Sequence, residues 1–246
     1  MTPFERLVEL GDDRAVLFTV LDGEYAGTKL LALENGETVG DGPAELVAQA
    51  PDLLRSGRNR QLEFEGRRVF AEVYGPPPRL FVYGAVDTAE ALCAAVKLLG
   101  WTTIVADARA KFATAERLPS ADRLIVAWPE EAFAEAAPDH ATAVVILTHD
   151  EKFDVPALQA ALAGDAFYVG AIGSRRTQDR RRERLLEAGL GESALARIAG
   201  PAGLDIGADS TGETAVSIIS EILATRAGRA GGPLRESKQR IHAGAS

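Results

Sequence analysis

The chain is poor in the residues that hold metals and cross-links. Its 246 residues include one cysteine, Cys93, and three widely separated histidines, His140, His149 and His242. A single cysteine excludes internal disulfides and iron–sulfur clusters, and the scattered histidines offer no metal-ligand spacing, so a protein-held metal is not expected. Long apolar runs are also missing. No stretch approaches the roughly 18 residues of a membrane span, and Met1-Thr2-Pro3-Phe4-Glu5 lacks the basic start and apolar stretch of a secretory signal. A cytoplasmic protein without membrane association is therefore expected. Positive charge is in deficit as well, with 27 Lys and Arg against 36 Asp and Glu, a formal net charge of −9. That balance argues against nonspecific nucleic-acid binding, which neutralises phosphates with basic residues. A small anionic ligand stays open, because it feels only the local field.

What is present is an ordinary globular composition, 46% hydrophobic, in a chain long enough for one large or two small domains. The run Pro76-Pro77-Pro78 cannot donate ladder hydrogen bonds and favours an extended linker, placing a boundary between a domain at 1–75 and another at 79–226. In the first, "RAVLFTVL" and "TKLLALENGETVG" read as strands, with Asn35-Gly36 supplying the positive-φ residues of a tight hairpin. Two short helices divided by Pro51 follow, then a hairpin turning at Gly66, so this half is a small α+β unit. In the second half, "RLFVYG", "TTIVAD", "RLIVA", "AVVILTHD" and "AFYVGAIG" are short apolar runs alternating with helical segments. They suit a parallel sheet covered on both faces, a Rossmann-like doubly wound α/β fold. Leu92, Ala95, Val96 and Leu99 mark the buried face of one helix; Val216, Ile219, Ile222 and Leu223 mark that of another, opened by a Ser210/Glu213 capping box. Residues 227–246 read as a mobile tail.

In open parallel sheets ligands bind beyond the carboxyl ends of the strands. The first such turn, Gly84-Ala85-Val86-Asp87, approaches a dinucleotide fingerprint, and Asp107 follows at about the spacing of a ribose-binding carboxylate. Val86, however, stands where a glycine would let a pyrophosphate reach the backbone, so a plain strand-to-helix turn is the preferred reading. Asp107 and Arg109 are either a surface ion pair or ligand contacts. Thr148, His149 and Asp150 end the fourth strand: Asp150 either raises and orients His149 as a proton carrier or phosphate contact, or one of its neighbours simply caps the next helix. "YVGAIGSRRTQDRRRERL" gathers six arginines in an acidic protein. Gly173 allows a sharp exit and Ser174 is a good N-cap, which puts Arg175 and Arg176 at a helix N-terminus, where the macrodipole disfavours cations. A bound phosphate or carboxylate would reverse that sign. Arg180, Arg181, Arg182 and Arg184 read as a solvated or partner-docking face with Asp179 and Glu183 as partial counter-charges. "GLDIGA" reads as a strand end aiming Asp205 at the same edge.

Together "YVGAIGSRRT", "GLDIGADSTGETAVSIISEIL", "LTHDEKFD" and "VADARAKFATAERLPSADRLIVAWPEEA" resemble the XdhC/CoxI family, the xanthine dehydrogenase accessory factors, over about residues 79 to 226. "YAGTKLLALENGETVG" is similar, more faintly, to that family's N-terminal hairpin. The resemblance implies a chaperone, not an enzyme, that binds molybdenum cofactor (molybdopterin) transiently. It implies delivery of the mature, sulfurated form to the apo-enzyme of a molybdenum hydroxylase of the xanthine or CO dehydrogenase type, with a cysteine desulfurase and a second copy of the chain as further candidate partners. Gly173, Ser174, Arg175 and Arg176 would hold the pterin phosphate; Gly84, Ala85, Asp107, Arg109, His149, Asp150 and Asp205 would line the remaining pocket. Two departures stand out. The family's Gly-Gly-Cys-hydrophobic-Glu stretch is replaced by "GDGPAELV", without the cysteine, and its Gly-Ala-Gly-His turn by Gly84-Ala85-Val86-Asp87. Two alternatives follow: an NAD(P)-linked oxidoreductase with Asp107 on the ribose, and a family member that binds only protein.

Overall fold

A computed structural model describes residues 1–238; His242 and positions 239–246 of the expected tail lie outside the described residues. The chain divides into two compact units, Met1–Pro76 with the described residues from Gly232 onward, and Pro77–Gly231.

The first unit contains α1 (Pro3–Val8), β1 (Ala15–Val20), β2 (Lys29–Leu33), β3 (Thr38–Gly40), a 3-10 turn at Ala44–Gln49, α2 (Ala50–Ser56), β4 (Arg60–Phe64) and β5 (Arg67–Tyr74). Its five strands form an antiparallel sheet in the order β3-β2-β1-β5-β4. Pro51 sits in the first turn of α2, where its missing N–H costs nothing. The second hairpin turns on Glu65 and Gly66, both at positive φ, the backbone that matches strand twist in a two-residue loop. At the first hairpin only Gly36 has positive φ, and Gly36 N–H bonds Leu33 C=O at 3.0 Å while Leu33 N–H bonds Glu37 C=O at 2.9 Å. Asn35 instead spends its side chain on the Glu37 amide, which gives a three-residue loop with one left-handed glycine.

The second unit contains β6 (Arg79–Tyr83), α3 (Asp87–Lys97), β7 (Thr102–Ala106), β8 (Arg123–Ile125), α4 (Pro129–Ala136), β9 (Thr142–Ile146), α5 (Glu151–Ala163), β10 (Tyr168–Ala171), α6 (Arg175–Glu187), α7 (Glu192–Leu195), β11 (Ile198–Ala199) and α8 (Thr211–Arg226). All six strands are parallel, in the order β11-β10-β9-β6-β7-β8. The fold is the Rossmann-like α/β sandwich expected. Alternate residues of β6 feed opposite cores: Leu80 and Val82 join the α3/α8 layer, while Phe81 and Tyr83 join the α4/α5/α6 layer. Two-sided burial is why these strands read as continuous apolar runs. From β6 the chain builds outward through β7 and β8, then returns to build β9, β10 and β11 on the other side. The topological switch therefore lies between β6 and β9, where such sheets open a crevice.

Two expected helix faces are displaced. In α3 the buried residues are Ala89, Leu92, Cys93 and Val96, and Leu99 is exposed. Leu99 and Gly100 N–H bond the carbonyls of Val96 and Lys97, a tightened last turn that rotates Leu99 off the buried face. In α8 the stripe is Ala215, Ile218, Ile219 and Ile222, one residue earlier than expected, so Val216 is exposed and Leu223 half-buried. No helix among the described residues is long and apolar enough to cross a membrane.

Candidate functional site

Four strands deliver their carboxyl ends side by side. Gly84 N–H bonds Ala106 C=O at 2.8 Å, Leu147 N–H bonds Tyr83 C=O at 2.9 Å, and Ile172 N–H bonds Ile146 C=O at 3.1 Å. The exits of β7, β6, β9 and β10 thus line one edge. Gly84 is required there: its φ is +117°, and a Cβ would lie 3.1 Å from the Leu147 carbonyl carbon and 3.2 Å from the Thr148 nitrogen.

The turn after β6 is closed by its own neighbours. Asp107 is 2% exposed. Its Oδ2 accepts from Ala85 N–H at 2.9 Å and Arg109 Nη2 at 2.8 Å; its Oδ1 accepts from the Arg109 amide and Nε, both at 2.9 Å. A carboxylate has about four acceptor positions, so none is left for a ribose hydroxyl. Burial pushes this carboxyl up, but the bonds from Arg109 and the two amides outweigh it and hold the group below the usual carboxylate range. Arg109 lies 4.3 Å over the Phe112 ring. Arg117 reaches Ala85 C=O at 3.4 Å and Asp87 at 3.1 Å, covering the turn from outside. Arg117 comes from an irregular segment after β7, and nothing in the sequence marks it.

At the end of β9, Asp150 takes the capping role. Its side chain accepts the Lys152 amide at 3.3 Å and lies 3.4 Å from the Lys152 ammonium. It does not pair with His149, which is exposed. Thr148 is different: it is 5% exposed, and its Oγ1 is buried without a hydrogen-bond partner. An unmade bond of this kind costs about 1–3 kcal/mol, and this one sits at the switch point.

The turn after β10 stays open. Ser174 caps α6 by accepting the Thr177 amide at 3.2 Å, which leaves the Arg175 and Arg176 amides at the helix start without an intrahelical acceptor. Both arginine side chains are exposed, with no hydrogen bond or ion pair among the described residues. The remaining arginines do not form a solvated face. Arg181 is 2% exposed and grips Asp154 of α5 with Nε at 2.7 Å and Nη2 at 3.0 Å, while Nη1 reaches Gln178 at 2.5 Å and Nη2 also reaches Ile172 C=O at 3.1 Å. Arg182 pairs with Glu192 and Arg184 with Glu151, so the counter-charges come from other helices and not from Asp179 and Glu183. Helical periodicity places Arg181 and Leu185 on one inward face, a signal that the run of charge obscures.

Asp205 is not at a strand end. It lies exposed in an irregular loop, pinned one residue earlier where Ser217 Oγ donates to Leu204 C=O at 2.6 Å and, two earlier, where Gly203 N–H donates to Glu221 at 2.8 Å. Cys93 is buried in α3, and burial pushes its thiol up to about 12, which removes it from metal or sulfur chemistry. Among the described residues no three metal-ligating side chains cluster. A cavity of about 320 Å³ lies on the flank of α6, bounded by Gln178, Leu185, Glu192 and Leu195. The Arg182–Glu192 pair already occupies its charges, so concavity and unpaired charge fall at different places, and unpaired charge is the better mark of an anion site.

The model of the XdhC Rossmann domain matches residues 80–222. The chain belongs to the XdhC family. Its relatives include a Bacillus subtilis protein described as a probable xanthine dehydrogenase subunit, 32% identical over 64% of this chain and 46% of that protein. The molybdenum cofactor insertion chaperone PaoD from Escherichia coli is 28% identical over 79% of this chain and 53% of its own length. A crystal structure described as a xanthine dehydrogenase from Bacillus halodurans has a TM-score of 0.67 at 22% identity, covering 92% of this chain and 65% of that one. This XdhC-family chain thus spans about half the length of the B. subtilis and E. coli relatives.

Proposed function

We propose that this XdhC-family chain is an accessory protein that takes up molybdenum cofactor and passes it to the apo-form of a molybdenum hydroxylase of the xanthine or CO dehydrogenase type, catalysing no reaction of its own. The observation that carries this reading is the pair of unpartnered guanidinium groups, Arg175 and Arg176, held at the start of a thirteen-residue helix. An anionic pterin phosphate would receive the two free amides and both guanidinium forks. Thr148 Oγ1, buried and unsatisfied one strand away, would gain a partner from the same ligand. A relative named as a molybdenum cofactor insertion chaperone supports the identity of the cargo.

The manner of holding also fits a carrier. With the only thiol buried at Cys93, this chain offers the molybdenum end no sulfur ligand. Attachment rests on reversible, charge-assisted contacts at an exposed edge, which suits release to a partner. His149 and Asp205, exposed on the same edge, are then contacts for the rest of the cargo or for the recipient. A cysteine desulfurase, as the source of the cofactor's sulfur, belongs to the same proposal. Binding of NAD(P) is disfavoured because Asp107 has no acceptor position left.

Oxidation of the purified protein to its fluorescent pterin derivatives tests the reading. Wild type is expected to carry or accept the pterin, and Arg175→Ala/Arg176→Ala to lose it. A wild-type chain that never carries or accepts pterin overturns the proposal. The buried thiol favours one other reading, a protein that binds a hydroxylase without cofactor; it predicts copurification with the hydroxylase and no pterin.

A further inference from the structure

Trp128 is one of two tryptophans and the only one with a free face: it is 51% exposed, whereas Trp101 is 4% exposed. It caps the start of α4 without contributing a side-chain hydrogen bond. Its sequence position, beyond the edge strand β8, suggests the rim of the sheet. The contacts place it elsewhere. Tyr83 OH, at the end of central strand β6, donates to Ala127 C=O at 3.2 Å, which draws the chain back across β7. The Trp128 ring then meets Phe153, in the first turn of α5, at 5.0 Å between centroids and a 53° tilt.

Phe153 is the hub of the crevice. Lys152 Nζ lies 4.8 Å and Arg109 Cζ 5.9 Å from its centroid, and Arg109 is the residue that clamps Asp107 to the Gly84 turn. Trp128, Phe153, Arg109 and Lys152 therefore form one connected group over the β6/β9 switch, next to Thr148. A large exposed aromatic there needs a reason, because α4 would begin equally well with a small polar cap. Ring faces flanked by cations suit a planar, polar heterocycle carrying carbonyl oxygens.

Resting on the reading of the site as a carrier of molybdenum cofactor, we infer that Trp128 is the stacking plate for the pterin ring, with Lys152 facing its polar edge, while Arg175 and Arg176 take the phosphate. The two ends of the ligand then straddle the first turn of α5. Ring and phosphate are held by different residues and can be removed separately.

The test uses the full chain and the oxidised fluorescent pterin derived from molybdopterin, with and without its phosphate, followed by fluorescence anisotropy. Trp128→Leu keeps an apolar cover over Phe153 without an aromatic face. It is expected to weaken both pterins about tenfold, and Trp128→Phe to retain most of the affinity at an unchanged melting temperature. Arg175→Ala/Arg176→Ala is expected to weaken only the phosphorylated form. Wild-type affinity for both pterins in Trp128→Leu, or an equal loss in Trp128→Phe, overturns the stacking inference and leaves the carrier reading standing if the arginine pair still matters. A wild-type chain that binds neither pterin overturns both.

Discussion

After β6 and after β10 the chain makes the same kind of turn, a strand ending in a positive-φ glycine followed by a helix start. Gly84 and Gly173 have φ of +117° and +135°. Their electrostatic outcomes are opposite. At the first turn Asp107 accepts four hydrogen bonds, and Arg109 and Arg117 close over it. At the second, two guanidinium groups and two amides point at solvent with nothing to bind. The fold offers both places to a ligand, and polar satisfaction decides between them. A Rossmann-like sheet therefore does not carry its ligand by default at the first glycine turn.

The largest expected effect concerns what keeps the second turn rigid. Arg181 and Asp154 are buried together, with side-chain exposures of 2% and 7%, and they lock α6 onto α5. Asp154→Ala leaves an uncompensated guanidinium in the core and is expected to destabilise the protein by about 3–5 kcal/mol, measured by urea unfolding. A loss well under 1 kcal/mol would mean that α6 is held by its apolar contacts alone and that the contrast between the two turns has no structural anchor.

Closing of the first turn is tested at Asp107. Asp107→Asn removes the charge from a site built around it and is expected to cost about 1–3 kcal/mol. The effect depends on pH. Because the folded state holds Asp107 below its unfolded value of about 3.9, its contribution is complete above that value and disappears as pH falls through the folded-state value. Stability profiles of wild type and Asp107→Asn should therefore differ at neutral pH and converge in acid. Parallel profiles down to the lowest pH would remove Asp107 as the clamp and reopen the first turn to a ligand.

These two sites show what the sequence could and could not tell. The alternating apolar runs imposed the parallel sheet, and Ser174, Asp150 and Ser210 were readable as caps because capping is a local matter. The ion pair of Arg181 was not readable, since its partner lies 27 positions away on another helix and a run of arginines looks solvated until helices are packed. Asp107 looked like a ribose ligand because spacing reveals where a carboxylate sits, not how many donors have already reached it. Val86 hinted at the answer for a different, steric reason. Asp205 was misplaced because glycines flanking an apolar residue suit a loop as well as a strand end.

Thr148 gives a smaller effect of opposite sign. Its hydroxyl is buried without a partner, so Thr148→Val, nearly the same shape with no polar atom, is expected to stabilise the ligand-free protein by about 1 kcal/mol. The same variant should bind the phosphorylated pterin more weakly. A stability loss would show that the hydroxyl already has a partner in solution, and the switch point would resemble the closed turn more than the open one.

The smallest stability change is expected where binding depends most. Arg175 and Arg176 oppose the dipole of α6 at an exposed helix start, an interaction worth a few tenths to about 1 kcal/mol per charge at low ionic strength. Arg175→Ala/Arg176→Ala should therefore leave the melting temperature unchanged or raise it slightly, with the gain fading as salt screens the charges. Wild type, but not the variant, should be stabilised by added pyrophosphate, since a ligand that binds only the folded state raises stability by mass action. If the two arginines instead supported the fold, their removal would lower the melting temperature in the absence of any anion, and the open turn would have to be read as a structural element like the closed one.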